Sequence, residues 1–185
     1  MPRLSLSMIV RNEAARLQSC LDSVSGFVDE MVVVDTGSSD DTAQLAAACG
    51  ARVHHLSWPG DFAPARNSAL ELVSGEWVLV LDADERLLQE PVAQLRRLMA
   101  EPDLLLITLL RQEVGARQAP YSSVSRLFRR HPSLQWSGAY HAGVDDSVAA
   151  LCQREPHWRL AHCAAPRSEE HTSELQSQFR ISYAV

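Results

Sequence analysis

The chain has 185 residues, 46% of them hydrophobic, and carries a formal net charge of −6 at pH 7. This length and composition predict one soluble domain with a substantial core. The acidic balance and the lack of a Lys/Arg-rich run disfavour nucleic acid as a partner, so a bound phosphate would be held by a metal ion or by local groups.

No stretch approaches about 20 apolar residues, and the apolar part of the N-terminus is too short for a signal peptide. The four cysteines show no CxxC spacing, which favours thiols in a reducing compartment. We therefore expect a cytoplasmic protein. Peripheral association with the inner face of a membrane stays open.

Strands and helices alternate in the first third of the chain. Apolar runs predict strands at residues 4–10, 31–34 and 52–56, and helical spacing predicts intervening helices. Asn12 is expected to cap the first of these helices, and the second is expected over residues 40–49. This alternation with short connections predicts an α/β fold, in which a mostly parallel sheet is flanked by helices.

The next segment predicts a helix that begins near residue 62, with Arg66 and Asn67 one turn beyond Pro64. A fully apolar strand follows at residues 77–81, then a helix from Pro91 to Met99 and strands at 104–110 and 124–128. From Trp136 onward the pattern weakens, and the sequence predicts no further element.

Carboxylates follow two of these predicted strands, Asp35 after one and Asp82 and Asp84 after another. Ligands of open α/β sheets bind at the carboxyl ends of strands, and two aspartates one residue apart can hold Mg²⁺ or Mn²⁺. An isolated pair of this kind is more often only a turn, and Asp35 could equally just begin one. Arg66 could neutralise a phosphate or be a solvated charge, and an exposed Glu85 is the default expectation.

Four segments in order resemble the large family 2 of inverting glycosyltransferases, which has the Rossmann-like GT-A fold. They are residues 8–13 (MIVRNE), 33–42 (VVDTGSSDDT), 61–67 (DFAPARN) and 80–85 (VLDADE). The resemblance covers residues 4 to about 145. It implies a nucleoside-diphosphate sugar donor, a divalent cation (Mg²⁺ or Mn²⁺), and a glycan, lipid or protein acceptor that the sequence does not identify.

The resemblance also implies roles for residues at the matching positions. Asp82 would face the ribose and Asp84 would bind the metal. The remaining donor-site positions are Val10, Arg11 and Glu13 for the base and ribose, Asp35 for the base, and Arg66 and Asn67 near the diphosphate or sugar.

Residues 126–130 (RLFRR) and 136–141 (WSGAYH) resemble a bacterial subgroup that has Glu after the histidine, where this chain has Ala142. An inverting displacement needs a base for the acceptor hydroxyl, so the missing glutamate leaves that base open. Asp145 and Asp146 are the nearby candidates, with a solvated turn as their alternative. His141 could touch the metal or diphosphate, or be a partly buried structural histidine.

Residues 167–177 (RSEEHTSELQS) resemble the translation of a sequencing-library adapter. We therefore expect a partial GT-A domain at residues 1–166 and a non-native tail at residues 167–185. The leading hypothesis is a metal-dependent glycosyltransferase. The alternative is a nucleotide-sugar-binding module without turnover, and a sugar nucleotidyltransferase is disfavoured by the lack of a Gly-rich triphosphate loop.

Overall fold

The computed structural model describes residues 1–88, 92–113, 121–138, 142–163 and 180–183. The strands of these residues are β1 (Leu4–Val10), β2 (Glu30–Asp35), β3 (Arg52–His55), β4 (Trp77–Val80), β5 (Glu85–Leu87), β6 (Leu104–Glu113), β7 (Tyr121–Arg129), β8 (Arg159–His162) and β9 (Arg180–Tyr183). The helices are α1 (Ala14–Val24), α2 (Thr42–Ala48), α3 (Phe62–Leu72), α4 (Val92–Met99) and α5 (Asp145–Arg154).

The strands form one sheet in the order β3-β2-β1-β4-β7-β6-β9-β5, with β8 also paired to β6. Strands β3, β2, β1 and β4 are mutually parallel. Strand β7 is antiparallel to both of its neighbours, β4 and β6. The predicted α/β fold with a mostly parallel sheet is confirmed, and the parallel strands bring the ends of β1, β2 and β4 to one edge.

Strand β4 lies between two hydrophobic clusters. Trp77 and Leu79 belong to one cluster, and Val78 and Val80 to the other. Successive side chains of a strand point to opposite faces, so β4 is covered on both sides, and all four residues are buried. Each such side chain contributes roughly 1.5–3 kcal/mol when fully buried, which fixes the position of the loop that follows β4.

Helix α5 is the main element that the sequence did not predict. Its apolar face is short and consists of Val148 and Leu151, which pack with Val144 in the second cluster. The predicted strand at 104–110 is longer in the structure, and α2 begins at Thr42 rather than residue 40. No helix within the described residues is long and apolar enough to cross a membrane.

Candidate active site

The loop after β4 is closed by hydrogen bonds between Asp82 and Glu85. The Glu85 N–H donates to the Asp82 carbonyl (2.9 Å), and the Asp82 N–H donates to Glu85 Oε2 (2.9 Å). Glu85 is 0% exposed, so the expectation of an exposed turn residue is wrong. Glu85 is the first residue of β5, and its side chain is buried. This buried carboxylate fixes the backbone that presents Asp82 and Asp84.

Asp82 lies between two guanidinium groups. Arg66 Nη2 is 2.7 Å from Asp82 Oδ1, and Arg126 Nη2 is 2.9 Å from Oδ2. Burial acts to raise the pKa of Asp82, but Arg126 and Arg66 outweigh it and hold that pKa well below its usual range. Asp82 is therefore an anion throughout the physiological range.

Arg66 is buried, with 8% of its surface exposed, so the alternative of a solvated charge on a helix is wrong. Its guanidinium also lies 4.8 Å from the ring centroid of Trp136, a cation–π contact. Arg126 comes from β7, the antiparallel neighbour of β4. Sequence analysis assigned Arg126 no role, and its place in the RLFRR segment was the available signal.

Within the described residues no arginine forms an ion pair with Asp84, and its surroundings shift its pKa in the opposite direction. Burial, and to a smaller extent the charge of Asp82, raise the pKa of Asp84. Glu13 shows the same effect, because burial and the nearby charge of Asp84 raise its pKa. Carboxylates of this kind gain from a nearby cation.

Of the two predicted metal ligands, Asp84 and His141, only Asp84 lies within the described residues. Within the described residues there is no group of three or more His, Cys, Asp or Glu side chains that could hold a metal ion. Mg²⁺ and Mn²⁺ commonly take one or two carboxylates and complete their ligands with substrate phosphates and water. The half-buried carboxylate of Asp84 fits that arrangement, whereas both Asp82 oxygens are occupied by arginines.

Two cavities meet at this loop. One, the β1 cavity, has a volume of about 440 Å³, and the other, the β7 cavity, about 470 Å³. Both are lined by Phe62, Arg66 and Asp82. The β1 cavity is further lined by Ile9, Val10, Arg11, Glu13, Thr36, Trp58, Ala83 and Asp84. The β7 cavity is further lined by Arg111, Ser123, Val124, Ser125, Arg126, Trp136, Ala142, Gly143 and Asp145.

The predicted donor residues at and after the end of β1, Val10, Arg11 and Glu13, are thus brought together with Asp82 and Asp84, but Asp35 is not in the lining. Asp35 is buried and accepts hydrogen bonds from the backbone N–H (3.0 Å) and hydroxyl (2.5 Å) of Ser38. His55 Nδ1 lies 3.3 Å from its carboxylate. Asp35 therefore organises the turn after β2, and its contact with a base stays a prediction.

The loop after β1 is tied to the turn after β2. Asn12 has a positive φ of 56°, and its Oδ1 accepts from the Ser39 N–H (2.8 Å), so the expectation that it caps α1 is wrong. Asp40 accepts from the Ala14 N–H (3.2 Å) instead, and Thr42 Oγ1 accepts from the Glu13 N–H (2.8 Å). These bonds fix Arg11 and Glu13 at the cavity wall.

Asn67 lies outside the linings of both cavities. Its side-chain amide donates to the Trp136 carbonyl (3.0 Å) and accepts from the Trp136 N–H (2.7 Å). Both ends of the amide are thus used to hold Trp136, which lines the β7 cavity.

The two candidate bases lie in the first turn of α5, and both are exposed. Asp145 lines the β7 cavity and accepts from the Ser125 hydroxyl (2.5 Å). Asp146 accepts from the Ser137 hydroxyl (3.0 Å) and is not in the lining. His141 lies outside the described residues.

The site also contains an aromatic pair to which sequence analysis assigned no role. Trp58 and Phe62 make an edge-to-face contact with ring centroids 5.1 Å apart. The available signal was the position of both rings around a Pro-Gly-Asp turn before the helix that carries Arg66.

Comparison with known proteins links this site to a family. The model of Glycosyl transferase family 2 matches residues 5–161. A TPR repeat-containing protein of Synechococcus elongatus is 48% identical over 166 residues, which cover 90% of this chain and 41% of that protein. An uncharacterized glycosyltransferase of Rickettsia felis is 32% identical over 157 residues, which cover 80% of this chain and 55% of that one. The chain thus spans about half the length of these relatives, or less.

Solved structures show the same fold. Glucosyl-3-phosphoglycerate synthase from Mycobacterium tuberculosis, in complex with Mn²⁺, UDP and phosphoglyceric acid, gives a TM-score of 0.63 at 23% identity over 87% of this chain and 68% of that one. Staphylococcus aureus TarS 1-349 in complex with UDP-GlcNAc gives 0.56 at 25% identity over 64% of this chain and 37% of that one. The Rossmann-like GT-A fold expected from the sequence is confirmed.

Proposed function

Because the chain belongs to glycosyl transferase family 2, we propose that it transfers a sugar from a nucleoside-diphosphate donor to an acceptor hydroxyl, with inversion at the anomeric carbon. The observation that carries this proposal is the shared wall of the two cavities, formed by Phe62, Arg66 and Asp82. A transferase must hold two substrates in contact, and two adjoining cavities offer that arrangement.

The β1 cavity is the donor site in this proposal. Val10, Arg11 and Glu13 would contact the base and ribose, Asp82 would contact the ribose, and Asp35 would contact the base although it lies outside the cavity lining. Relatives named as glycosyltransferases, and the structures of fold neighbours with UDP and UDP-GlcNAc, support a nucleotide-sugar ligand. Asn67 would act at one remove, by holding Trp136 in the wall.

Asp84 would hold the divalent cation through its half-buried carboxylate. The cation would act as a Lewis acid on the leaving diphosphate, and fold neighbours solved with Mn²⁺ or Mg²⁺ support its use. Asp82 and the buried Glu85, whose Oε1 lies 3.9 Å from Arg126 Nη2, balance the two positive charges of Arg66 and Arg126. The arginines would therefore favour the negative charge that develops on the leaving diphosphate through directed N–H donors rather than through a net positive charge. Their fixed positions require no rearrangement during the reaction.

Asp145 would accept the proton of the attacking acceptor hydroxyl. It is the candidate base that faces the β7 cavity, whereas Asp146 is turned to Ser137. A single displacement requires the base on the side opposite the leaving group, and the β7 cavity adjoins the donor site on the far side of the shared wall. The acceptor itself stays open among glycans, lipids and proteins, and a lipid acceptor would be met at a membrane face.

A nucleotide-sugar-binding module without turnover is the second candidate. The observation that favours it is Ala142, which stands where the resembling subgroup has glutamate and packs partly buried against the second hydrophobic cluster. Every residue in either proposal lies within 1–166, the proposed catalytic domain.

Titration calorimetry with UDP, with and without Mn²⁺, tests the donor site. We expect binding that requires Mn²⁺ and is lost in Asp84→Ala, with circular dichroism to confirm that the variant is folded. Release of UDP from a UDP-sugar, lost in Asp145→Asn, would support the enzyme. Metal-dependent binding without transfer to water or to any acceptor offered would support the binding module. A folded protein that binds no nucleoside diphosphate would contradict both.

A further inference from the structure

Trp58 and Phe62 expose large apolar surface inside a binding cavity. Phe62 is 42% exposed and Trp58 is 36% exposed, although the two rings pack together with an interplanar angle of 72°. Phenylalanine and tryptophan normally bury most of their area and dominate the energetics of the sites they line. Exposed aromatic surface that clusters in a concave site indicates a ligand that covers it.

The position of Phe62 indicates which part of the ligand covers this aromatic surface. Phe62 lines both the β1 and the β7 cavity, whereas Val10, Arg11 and Glu13 line only the β1 cavity. In a transfer reaction the anomeric carbon must lie where donor and acceptor meet. In the proposed reaction the sugar ring of the donor would therefore lie at the shared wall, and the base would lie toward β1.

The shared wall combines charged groups with an apolar ring face, and a sugar ring can bind to both. Arg66 and Asp82 offer charged groups that can bind hydroxyls, and Phe62 offers an apolar face. A pyranose ring likewise has hydroxyls at its rim and C–H groups on its faces. Polarised C–H groups are attracted to the negative face of an aromatic ring.

The backbone of Phe62 is held at the capped start of a helix. It is the first residue of α3, and Asp61 caps that helix by accepting from the Ala63 N–H (3.3 Å). Trp58 supports the ring from the preceding loop. A platform fixed before binding avoids the entropy cost of ordering a loop around the ligand.

We propose that Phe62, supported by Trp58, is the platform on which the transferred sugar ring of the donor stacks. This inference rests on the proposed function and adds to it a residue that distinguishes a nucleotide-sugar from the bare nucleotide. Its signature is an effect on the affinity for the donor that is absent from the affinity for the nucleoside diphosphate.

Calorimetric titration of the 185-residue chain with Mn²⁺ tests this signature. The probes are UDP, GDP and TDP and their glucose and N-acetylglucosamine derivatives, and the pair that wild type binds most tightly is used. Phe62→Ala is expected to weaken the nucleotide-sugar about 10-fold and to leave the nucleoside diphosphate within about twofold. Phe62→Tyr keeps the aromatic face and is expected to behave as wild type.

Tyr121→Ala is the matched control, because Tyr121 is 41% exposed but lines neither cavity. It should leave both affinities unchanged. If Phe62→Ala melts early, Phe62→Leu replaces it, since leucine keeps apolar bulk without a flat face and should still lose affinity for the nucleotide-sugar alone.

Three results would overturn the inference. Equal losses for the nucleotide and the nucleotide-sugar would place Phe62 against the nucleotide. An unchanged affinity for the nucleotide-sugar would mean that Phe62 touches no part of it. Failure of wild type to bind any of the nucleotides would overturn the proposed function, and the platform with it.

Discussion

Glu30, at the amino ends of the parallel strands, and Asp84, at their carboxyl ends, have pKa values shifted in opposite directions. Although burial acts to raise it, the pKa of Glu30 is lowered by hydrogen bonds from Ser5 and Ser74. The Ser5 hydroxyl donates at 2.6 Å and the Ser74 N–H at 2.8 Å, and Arg52 lies 3.0 Å from the other carboxylate oxygen. No described side chain donates a comparable hydrogen bond to Asp84, and burial raises its pKa.

The difference separates an edge whose carboxylate is satisfied by the protein itself from the edge at which we propose that the donor binds. At the amino edge the backbone itself is fitted to the network, since the Gly75 N–H donates to Ser5 Oγ (2.8 Å) and a Cβ at Gly75 would lie 2.6 Å from that oxygen. At the carboxyl edge, Nε and Nη1 of Arg66 are buried without a hydrogen-bond partner in the described residues. Such uncompensated groups cost stability and cluster at functional sites.

The largest expected effect comes from breaking the charge network at the carboxyl edge. Asp82→Asn removes the carboxylate that pairs with Arg66 and Arg126, whose side chains are only 10% and 13% exposed. Removing this shared anion from two largely buried cations, of which Arg126 keeps Glu85 at 3.9 Å, should lower the free energy of unfolding by about 3 kcal/mol, as measured by urea denaturation. The matched control is Asp41→Asn, an exposed carboxylate whose side chain makes no capping bond, with an expected change within about 0.5 kcal/mol. Equal stability of the two variants would contradict a structural role for the network.

The sequence predicted the positions of Asp82 and Asp84 but not this network. Their positions follow from a local pattern, a strand buried on both faces that ends in charge. Their partners depend on long-range packing, because Arg126 reaches Asp82 only after β7 inserts antiparallel beside β4. Glu85 is buried for a similar reason, since the chain turns back into the core at β5.

The fold shows the same division. Strands β1, β2 and β4 and helix α1 have strong periodic signals and were predicted. Helix α5 has few apolar residues, so only its packing on the second cluster identifies it. The expected cap at Asn12 failed because Ser39, from a different loop, binds its side chain.

Asp84→Asn should weaken ligand binding without destabilising the fold. In the presence of Mn²⁺ we expect the affinity for UDP to fall about 100-fold, because the charged ligand of the cation is lost. A raised pKa means that the fold disfavours the ionised form, so stability is lost as the pH rises from the unfolded pKa through the folded one. At pH 7 without metal, the variant should therefore melt at the same temperature as wild type or higher.

Calorimetric titration with UDP and Mn²⁺ checks the affinity, and thermal melting in metal-free buffer checks the stability. Glu13 is a second carboxylate of the β1 cavity with a raised pKa. Glu13→Gln should therefore also melt at the wild-type temperature or higher, but its affinity for UDP with Mn²⁺ should fall less than that of Asp84→Asn. A marked drop in melting temperature for Asp84→Asn would show that Asp84 belongs with the stabilising carboxylates.

Glu30→Gln tests the amino edge. Loss of the charge-assisted bonds from Ser5, Ser74 and Arg52 should lower the free energy of unfolding by about 1.5 kcal/mol at pH 7 and leave UDP affinity unchanged. Because the folded pKa is lowered, this stabilisation is present above the unfolded pKa and is lost as pH falls through the folded one. The gap between variant and wild type in urea denaturation should thus close below about pH 4. A gap that persists at low pH would point to packing of the side chain rather than its charge.

The smallest expected effect comes from Asp61. It tests whether a carboxylate at this edge binds the ligand because of its position, or stabilises the fold because its oxygens already accept hydrogen bonds from the protein. Asp61 lies near the donor site, yet its oxygen accepts from the Ala63 N–H as a helix cap, much as Glu30 accepts from Ser74. If the partners decide, Asp61→Ala should cost about 0.5–1 kcal/mol of unfolding free energy, with UDP affinity within about twofold of wild type. Asp61→Asn keeps a capping oxygen and should restore most of that stability. Loss of UDP affinity at unchanged stability would mean instead that every carboxylate at this edge serves the ligand, whatever its own hydrogen bonds.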